Sequence, residues 1–305
     1  MAAEKMALTG AEYFRMNRLS PDEGKRQLSA LWETVFGDGP NYTSVFLDSA
    51  AFRPEDTVLS LEEGRLAAML FLLPVRFGGR RGRYVYAVAT HPAFRGRGHA
   101  GAMLEYAQGL TEERGEDFTC LHPASDSLFG FYRRFGFETA FYIREERRRA
   151  PEGVPLLLER VPAEEFPALY TGTLSKRREP LLRWGEETLP FLCREAEAQE
   201  GGVLSIQGGE GFCLFTCPEQ GRVEVKELAF SGGITGELLD SLAGHWRGKD
   251  VSFRLPGDSA LENPPEKNAQ GAVLQPFGMI KYKKELLALQ SGGTSAYGFM
   301  GIALD

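Results

Sequence analysis

Residues 95–100, Arg-Gly-Arg-Gly-His-Ala, combine two cations with two glycines and an alanine. Small residues let a ligand approach the backbone closely, and Arg95 and Arg97 add positive charge. If a helix begins here, its first amides point outward and carry the positive end of the helix dipole. A helix start of this kind binds phosphate or pyrophosphate. Taken alone, the segment leaves open an ordinary glycine-rich connection.

The flanking residues predict the elements that such a site needs. Residues 84–90 are rich in aromatic and β-branched side chains, which indicates a strand. Pro92 ends that strand, because proline offers no amide to a neighbour. Beyond the loop, apolar residues recur at helical spacing at Met103, Leu104, Ala107 and Leu110. The sequence therefore predicts a strand, a small-residue loop and a helix.

Two common phosphate motifs do not fit this loop. No Gly-Lys-Ser/Thr follows, and the dinucleotide pattern Gly-x-Gly-x-x-Gly is not present. The loop instead has Arg-x-x-Gly-x-Ala after a Val-x-Thr-x-Pro strand. A second segment, Phe-Tyr-Arg-Arg-Phe-Gly-Phe at 131–137, follows about a strand and a helix later. In this order and spacing, the two segments resemble those of the GNAT family of acetyl-CoA-dependent N-acetyltransferases.

The resemblance implies acetyl-CoA as co-substrate, with no metal. The loop would hold the pyrophosphate, the preceding strand would lie along the pantetheine, and the Val88 amide would face the developing oxyanion. Much of the rate would come from this positioning. The residues expected to contact the coenzyme are Val88, Ala89, Thr90, Arg95, Gly96, Arg97, Gly98, His99 and Ala100.

Tyr132 matches the family's general acid, which assists the departing thiolate. A phenol has a pKa near 10 and a thiol one near 8.5. A hydrogen bond from the phenol can therefore help the leaving group without complete proton transfer. Tyr132 also lies at helical spacing with Leu128 and Phe135, which is the pattern of a core aromatic residue.

The proton acceptor for the amine is left open. His122 directly follows the strand predicted at residues 117–121, at the end that faces the cleft in this fold, and His91 and Asp126 are also near. In GNAT proteins of the enhanced-intracellular-survival type the terminal carboxylate of the chain can serve, and here that would be Asp305. Water is a third alternative. We name His122 and Asp305 as candidate bases.

Two predicted helices precede the first long strand, and in a GNAT fold they form one wall of the acceptor cleft. Their aromatic residues Trp32, Phe36 and Tyr42 are therefore candidates for the acceptor pocket. Residues at such spacing also commonly belong to a core. The expected acceptor is a primary amine on a small molecule, and the sequence does not distinguish an aminoglycoside, a polyamine or an amino acid from a protein amine.

Composition limits the partners. The net charge is −7; residues 1–150 hold 20 Lys/Arg and 20 Asp/Glu, so the acidic excess lies in the second half. No basic domain is present, which argues against nucleic acid as a partner.

The longest apolar run, residues 66–75, is too short to span a bilayer, and the first residues lack a signal-peptide core. We expect a cytoplasmic protein with no membrane partner, four reduced cysteines and no zinc site. Assembly into a homo-oligomer stays open.

We expect an α+β fold made of tandem GNAT-like lobes, each a mixed, mostly antiparallel sheet flanked by helices. The predicted domains are a catalytic, acetyl-CoA-binding domain at 1–150 and a degenerate lobe at 151–305. The second glycine loop, residues 231–236, has no Arg/Gln-x-x-Gly-x-Gly/Ala register, and Leu274 replaces the tyrosine before 276–278. An intact lobe followed by a degenerate one resembles the enhanced-intracellular-survival type without its sterol-carrier-like domain.

Two function classes follow from these features. The first is an N-acetyltransferase that moves the acetyl group directly to an amine within a ternary complex. The second is a non-catalytic acyl-CoA-binding or regulatory module, with the degenerate lobe as a partner surface; the intact Tyr132 argues against it. A tRNA-dependent aminoacyl transferase also pairs two such lobes, but the acidic balance disfavours it.

Overall fold

The computed structural model describes residues 11–15, 21–149, 156–175, 180–257, 274–286 and 298–304. By packing, they fall into two units. The first contains the described residues of 1–139, 279–293 and 304–305, and the second those of 140–278 and 294–303. The domain limits of 1–150 and 151–305 stay a prediction.

The described residues up to Arg133 form five strands and four helices. In chain order they are β1 (Ala11–Arg15), α1 (Pro21–Phe36), α2 (Pro40–Leu47), β2 (Thr57–Glu62), β3 (Arg65–Phe77), β4 (Arg80–Thr90), α3 (His99–Glu113), β5 (Phe118–Leu121) and α4 (Asp126–Arg133). Pro54–Asp56 and Pro92–Phe94 form short 3₁₀ turns.

The rest of the described chain adds eight strands and three helices. They are β6 (Glu138–Arg149), β7 (Leu158–Arg160), α5 (Phe166–Leu174), β8 (Arg183–Trp184), α6 (Leu189–Ala198), β9 (Gly202–Ile206), β10 (Gly211–Thr216), β11 (Arg222–Phe230), α7 (Gly236–His245), β12 (Asp250–Pro256) and β13 (Gln275–Tyr282).

The sheet of the first unit runs in the order β1-β2-β3-β4-β5, and residues 279–282 of β13 lie beyond β5. β4 and β5 are parallel, and the other neighbours are antiparallel. Alternate residues of β3 face opposite sides, as a strand requires. Leu70 and Leu72 join the core that α3 covers, whereas Phe71 packs against Trp32 of α1.

Two local predictions differ from the structure. The glycines and arginines of residues 78–83 predict a hairpin connection, but only Gly78 and Gly79 form the turn, both with positive φ, and β4 begins at Arg80. The order of the second half predicts that residues 279–282 close its own sheet, but they pair with β5 of the first unit. Strand formation is a local property, whereas the choice of partner depends on how distant segments meet.

The second unit repeats the layout of the first. Its strands follow the order β6-β12-β11-β10-β9-β7, with β11 and β12 parallel. α7 covers one face through Leu238, Leu239 and Leu242, and α5 covers the other through the contact of Phe166 with Phe212. The prediction of tandem mixed sheets flanked by helices is confirmed.

The four cysteines are free thiols. Cys120, Cys193 and Cys213 are buried, and burial raises the pKa of Cys193 and of Cys213 to about 12. These thiols stay protonated at neutral pH, as expected for core residues. Within the described ranges, each helix is too short or too polar to cross a bilayer.

A glycine sets the spacing between α3 and the segment after α4. A Cβ built on Gly101 would lie 2.4 Å from the ring of Phe135, which is far closer than van der Waals contact. Gly109, two turns further along α3, has nothing within 4 Å of such a Cβ. The same helix thus contains one glycine that packing requires and one that it does not.

We expect Gly101→Ala to lower the free energy of unfolding by about 1 kcal/mol, because Phe135 must move from its packed position. Gly109→Ala is the matched control and should raise it by about 0.5–1 kcal/mol, since alanine is the better helix former. Urea unfolding followed by circular dichroism measures both. Equal stabilisation by the two variants would show that α3 and Phe135 are not held this closely.

Candidate active site

A β-bulge interrupts the middle of the first unit's sheet. Met69 pairs with Ala89 and Phe71 with Tyr86, so that two residues of β4, Ala87 and Val88, face one residue of β3. Ala87 has a φ of 48°, a left-handed conformation that is unusual for a residue with a side chain. A bulge adds one unpaired residue and bends its strand.

The bulge lies where β4 leaves β5. The two strands pair over Gly82–Tyr84 with Phe118–Cys120, and in these described strands the pairing stops there. Gly82 permits the close pairing, since a Cβ at that position would lie 2.5 Å from the Phe118 carbonyl oxygen. Beyond Tyr84, none of the described strands pairs with β4 on its β5 side, and we call this part of β4 its open stretch. The half-buried Val88 and Thr90 lie on this open stretch.

The loop after β4 ends at the start of α3. Gly96 and Gly98 have φ values of 78° and 87°, which only glycine adopts without strain. Gly98 is the N-cap of α3 and provides no side-chain hydrogen bond to the helix amides. These amides are therefore available to an anion. The Arg95 side chain donates a hydrogen bond of 3.3 Å to the carbonyl of Thr90, the last residue of β4.

Glu62 also contacts this loop, although its local sequence, Glu-Glu-Gly at 62–64, predicts only a turn. Glu62 ends β2, and its carboxylate binds both Arg97 of the loop and the Nε2 of His99. Partial burial would raise the pKa of this carboxyl, but hydrogen bonds from His99 and Arg97 outweigh it, so the pKa is lowered. No local signal reveals this role, because the contacts join residues far apart in sequence.

The side chains of His99 and Arg97 lie in different surroundings. His99 is 2% exposed and directs its ring into the unit, so only its backbone is available at the loop. The Arg97 guanidinium is half exposed and also bonds the Ala93 carbonyl at 3.1 Å.

Tyr132 lies in the last turn of α4 and is 7% exposed. Its ring packs on Phe131 and Phe137 and belongs to the core that also contacts Val88. Burial raises the pKa of its phenol to about 12. The hydroxyl is therefore a hydrogen-bond donor throughout the neutral range, and complete proton transfer to a thiolate of ordinary basicity would be uphill.

Of the two candidate bases, His122 and Asp305, only His122 lies within the described residues. His122 directly follows β5 and is half-buried. Asp305 lies outside the described residues. Its neighbour Leu304 is held in the first unit, since the buried Tyr84 hydroxyl donates to the Leu304 carbonyl at 2.8 Å.

The aromatic candidates for the acceptor pocket share one side of the sheet. Trp32 is 2% exposed, contacts the ring of Tyr86 at 5.4 Å, and donates from Nε1 to Asp38 at 3.0 Å. Phe36, in edge contact with Trp32, is 39% exposed. Tyr42 is half-buried on α2. Trp32 is thus a core residue, and Phe36 offers the accessible aromatic surface.

The second unit contains a similar bulge but a different helix start. Leu214 pairs with Glu227 and Phe215 with Val225, which leaves Lys226 as the extra residue of β11. At α7, however, the Thr235 hydroxyl accepts a hydrogen bond from the Leu238 amide. A capped helix start has fewer amides to offer an anion than the glycine-capped α3. Among the described residues of the chain, no cluster of His, Cys, Asp or Glu could hold a metal.

The first half of the chain contains an acetyltransferase domain. Residues 17–140 match the family model of the acetyltransferase (GNAT) domain. This part of the chain is an acetyltransferase (GNAT) domain, as predicted from the loop and the Tyr132 segment. Acetyl-CoA is the general co-substrate of the family. No curated protein sequence matches the chain.

Solved structures show the same fold over most of the chain. A GCN5-related N-acetyltransferase from Anabaena variabilis is 19% identical, with a TM-score of 0.64 over 88% of this chain and 72% of that one. Eis1 from Mycobacterium abscessus is 15% identical, with a TM-score of 0.64 over 92% and 75%. A GCN5-related N-acetyltransferase from Kribbella flavida is 16% identical, with a TM-score of 0.62 over 88% and 70%. The similarity to Eis1 agrees with the resemblance to a two-lobed GNAT protein.

The raised pKa of Tyr132 has a measurable consequence. In an alkaline titration followed by near-ultraviolet absorbance, the difference between wild type and Tyr132→Phe should show no phenolate up to about pH 11, because an ordinary tyrosine ionises near pH 10 and burial disfavours the charged form. A phenolate signal with a midpoint near 10 would mean that the hydroxyl is solvated.

Proposed function

We propose that the protein transfers the acetyl group of acetyl-CoA directly to a primary amine of a small molecule within a ternary complex. The observation that carries the proposal is the glycine-capped start of α3 beside the bulge in β4. A phosphate-binding helix start and an open strand edge then adjoin each other, as a ligand with a pyrophosphate and an extended amide arm requires. Acetyl-CoA would supply the activated acetyl group as a thioester.

The loop would bind the pyrophosphate through backbone amides at its glycines and at Ala100, with Arg95 and Arg97 adding charge. β4 from Val88 to Thr90 would bond the pantetheine arm as a further strand does. The Val88 amide, released from regular pairing by the bulge, would donate to the oxygen on which negative charge develops. Positioning of this kind accounts for much of the catalysis by such a site.

Tyr132 would donate a hydrogen bond to the departing sulfur. Its phenol is protonated at neutral pH and is held by ring contacts with Phe131 and Phe137. Its role is stabilisation of the leaving group, since its pKa of about 12 makes it a weak acid.

His122, Asp305 or water would accept the proton of the amine. Phe36 and Tyr42 would contact the acceptor, with Trp32 supporting them.

The degenerate second lobe is proposed to bind no coenzyme. Its helix α7 satisfies the Leu238 amide with its own Thr235 side chain, and its loop has no arginine. Binding of coenzyme should therefore be confined to the first unit, with one molecule per chain.

Calorimetric titration with acetyl-CoA tests the binding site. Wild type should bind one molecule per chain, and Arg97→Ala combined with Gly98→Glu should abolish binding through charge and backbone strain. The matched control is Gly236→Glu, which places the same charge at the exposed start of α7 and should leave binding unchanged. Two molecules per chain would contradict the inactive second lobe, and no binding by wild type would exclude the proposed function.

Kinetics test the role of Tyr132. With a panel comprising a polyamine, an aminoglycoside, an amino acid and a lysine peptide, Tyr132→Phe should lower kcat by about 10²-fold while the Kd of acetyl-CoA stays constant. Phenylalanine preserves the buried ring and removes only the donor. Tyr106→Phe, on the half-buried face of α3, is the control and should retain wild-type kcat. Tight binding of acetyl-CoA without turnover of any amine would favour a non-catalytic acyl-CoA-binding module.

A further inference from the structure

The carboxylate of Glu62 contacts both Arg97 and His99 at the end of the loop. Glu62, the last residue of β2, accepts a hydrogen bond from His99 Nε2 at 2.7 Å and forms an ion pair with Arg97. The other nitrogen of His99, Nδ1, bonds the hydroxyl of Ser60 at 2.9 Å. Ser60 and Glu62 are two residues apart on one strand and therefore lie on the same face of the sheet.

His99 is held on both sides. Its ring is 2% exposed, Ser60 is fully buried, and the Glu62 side chain is 17% exposed. An ionised carboxylate only accepts hydrogen bonds, so Nε2 of His99 carries the proton toward Glu62. Ser60 and Glu62 thus form a clamp on the two ring nitrogens of His99. Because His99 is the first residue of α3, this clamp fixes the first turn of the helix, whose amides are available to the ligand.

Arg97 is also fixed by neighbouring groups, but its side chain stays accessible to solvent. Its guanidinium contacts Glu62, the Ala93 carbonyl at 3.1 Å and the ring of Phe94 at 5.3 Å, yet its side chain is 52% exposed. A guanidinium has five N–H donors, so donors remain for a second anion. Holding a long side chain in place before the ligand arrives reduces the entropy lost on binding.

The negative charge of Glu62 would by itself repel a pyrophosphate. Two observations indicate that Glu62 positions Arg97 for the pyrophosphate and does not compete with the pyrophosphate for Arg97. The carboxylate is anchored by His99 and cannot follow the ligand, and its lowered pKa reflects charge already compensated by its two partners. Glu62 therefore holds the cationic group in place and presents no free anion to the solvent.

On the basis of the proposed function, we infer that Glu62 is a positioning residue for the pyrophosphate of coenzyme A. Through His99 it fixes the first turn of α3, and through Arg97 it fixes the guanidinium that faces the same anion. Ser60 completes the clamp from the other side of the imidazole. Glu62 has no contact with the acetyl group in this scheme, so its loss should affect coenzyme binding and not the chemical step.

Replacing Glu62 by Gln provides the main test. The amide oxygen can accept from His99 or from Arg97, but the amide nitrogen cannot replace the second acceptor. We expect the Kd of free CoA in calorimetry to rise about tenfold, the loss of one charged hydrogen bond, with a parallel rise in the KM of acetyl-CoA and an unchanged kcat. Glu63→Gln removes the adjacent exposed carboxylate and should leave all three values unchanged.

A truncated donor separates positioning of the pyrophosphate from general damage to the unit. S-acetylpantetheine has no pyrophosphate, so Glu62→Gln should not change its kcat/KM. Equal loss with both donors would indicate a merely structural role and overturn the inference. Unchanged or tighter binding of CoA would also overturn it and identify Glu62 as a competitor of the ligand.

Ser60→Ala keeps the inference testable if Glu62→Gln does not fold. It removes only the second anchor of His99 and should raise the Kd of CoA about threefold, the lower range for one neutral hydrogen bond; an unchanged Kd would contradict the clamp. Failure of wild type to bind CoA at all would reject the proposed function, a result distinct from a Kd that the Glu62 substitution leaves unaltered.

Discussion

The bulge in β4 is the constraint on which the candidate site depends. Two residues, Ala87 and Val88, occupy the place of one opposite β3, and pairing with β5 ends at Tyr84. The strand thereby leaves a short stretch of backbone without regular pairing while its ends stay in the sheet. A left-handed backbone costs an L-residue about 1–2 kcal/mol. Tyr86, Ala87 and Ala89 are all buried, so packing around the bulge must offset this cost.

The two units share a layout but differ at the start of the covering helix. Both have a strand with a bulge, a glycine-containing loop and a covering helix. In the first unit the helix begins after Gly98, which leaves its amides to an anion, and arginines flank the loop. In the second, Thr235 caps α7 internally. Under the proposed function, the fold alone would not determine coenzyme binding, and the residue at the helix N-cap would contribute directly to it.

Charge in the first unit is compensated locally. At the start of β4, the largely buried Arg83 forms ion pairs with Asp56 at 2.9 Å and with Glu116 at 2.8 Å. Burial alone would lower the pKa of Arg83, but these carboxylates raise it. At the other end of the strand, Glu62 compensates Arg97 while leaving its guanidinium half exposed. The first arrangement removes charge from solvent, whereas the second keeps one side of the charge accessible.

The sequence by itself determined the order of strands and helices, the glycine-containing loop before α3 and the acetyltransferase character of residues 17–140, because periodicity, turn residues and motif spacing act over short stretches of chain. Only the tertiary structure decided that Glu62 reaches Arg97 and His99, that Trp32 is buried while Phe36 is accessible, and that residues 279–282 pair with β5. These outcomes depend on which distant segments become neighbours. Local sequence cannot specify such contacts, since they form only when the strands are aligned in the sheet and the helices pack on its faces.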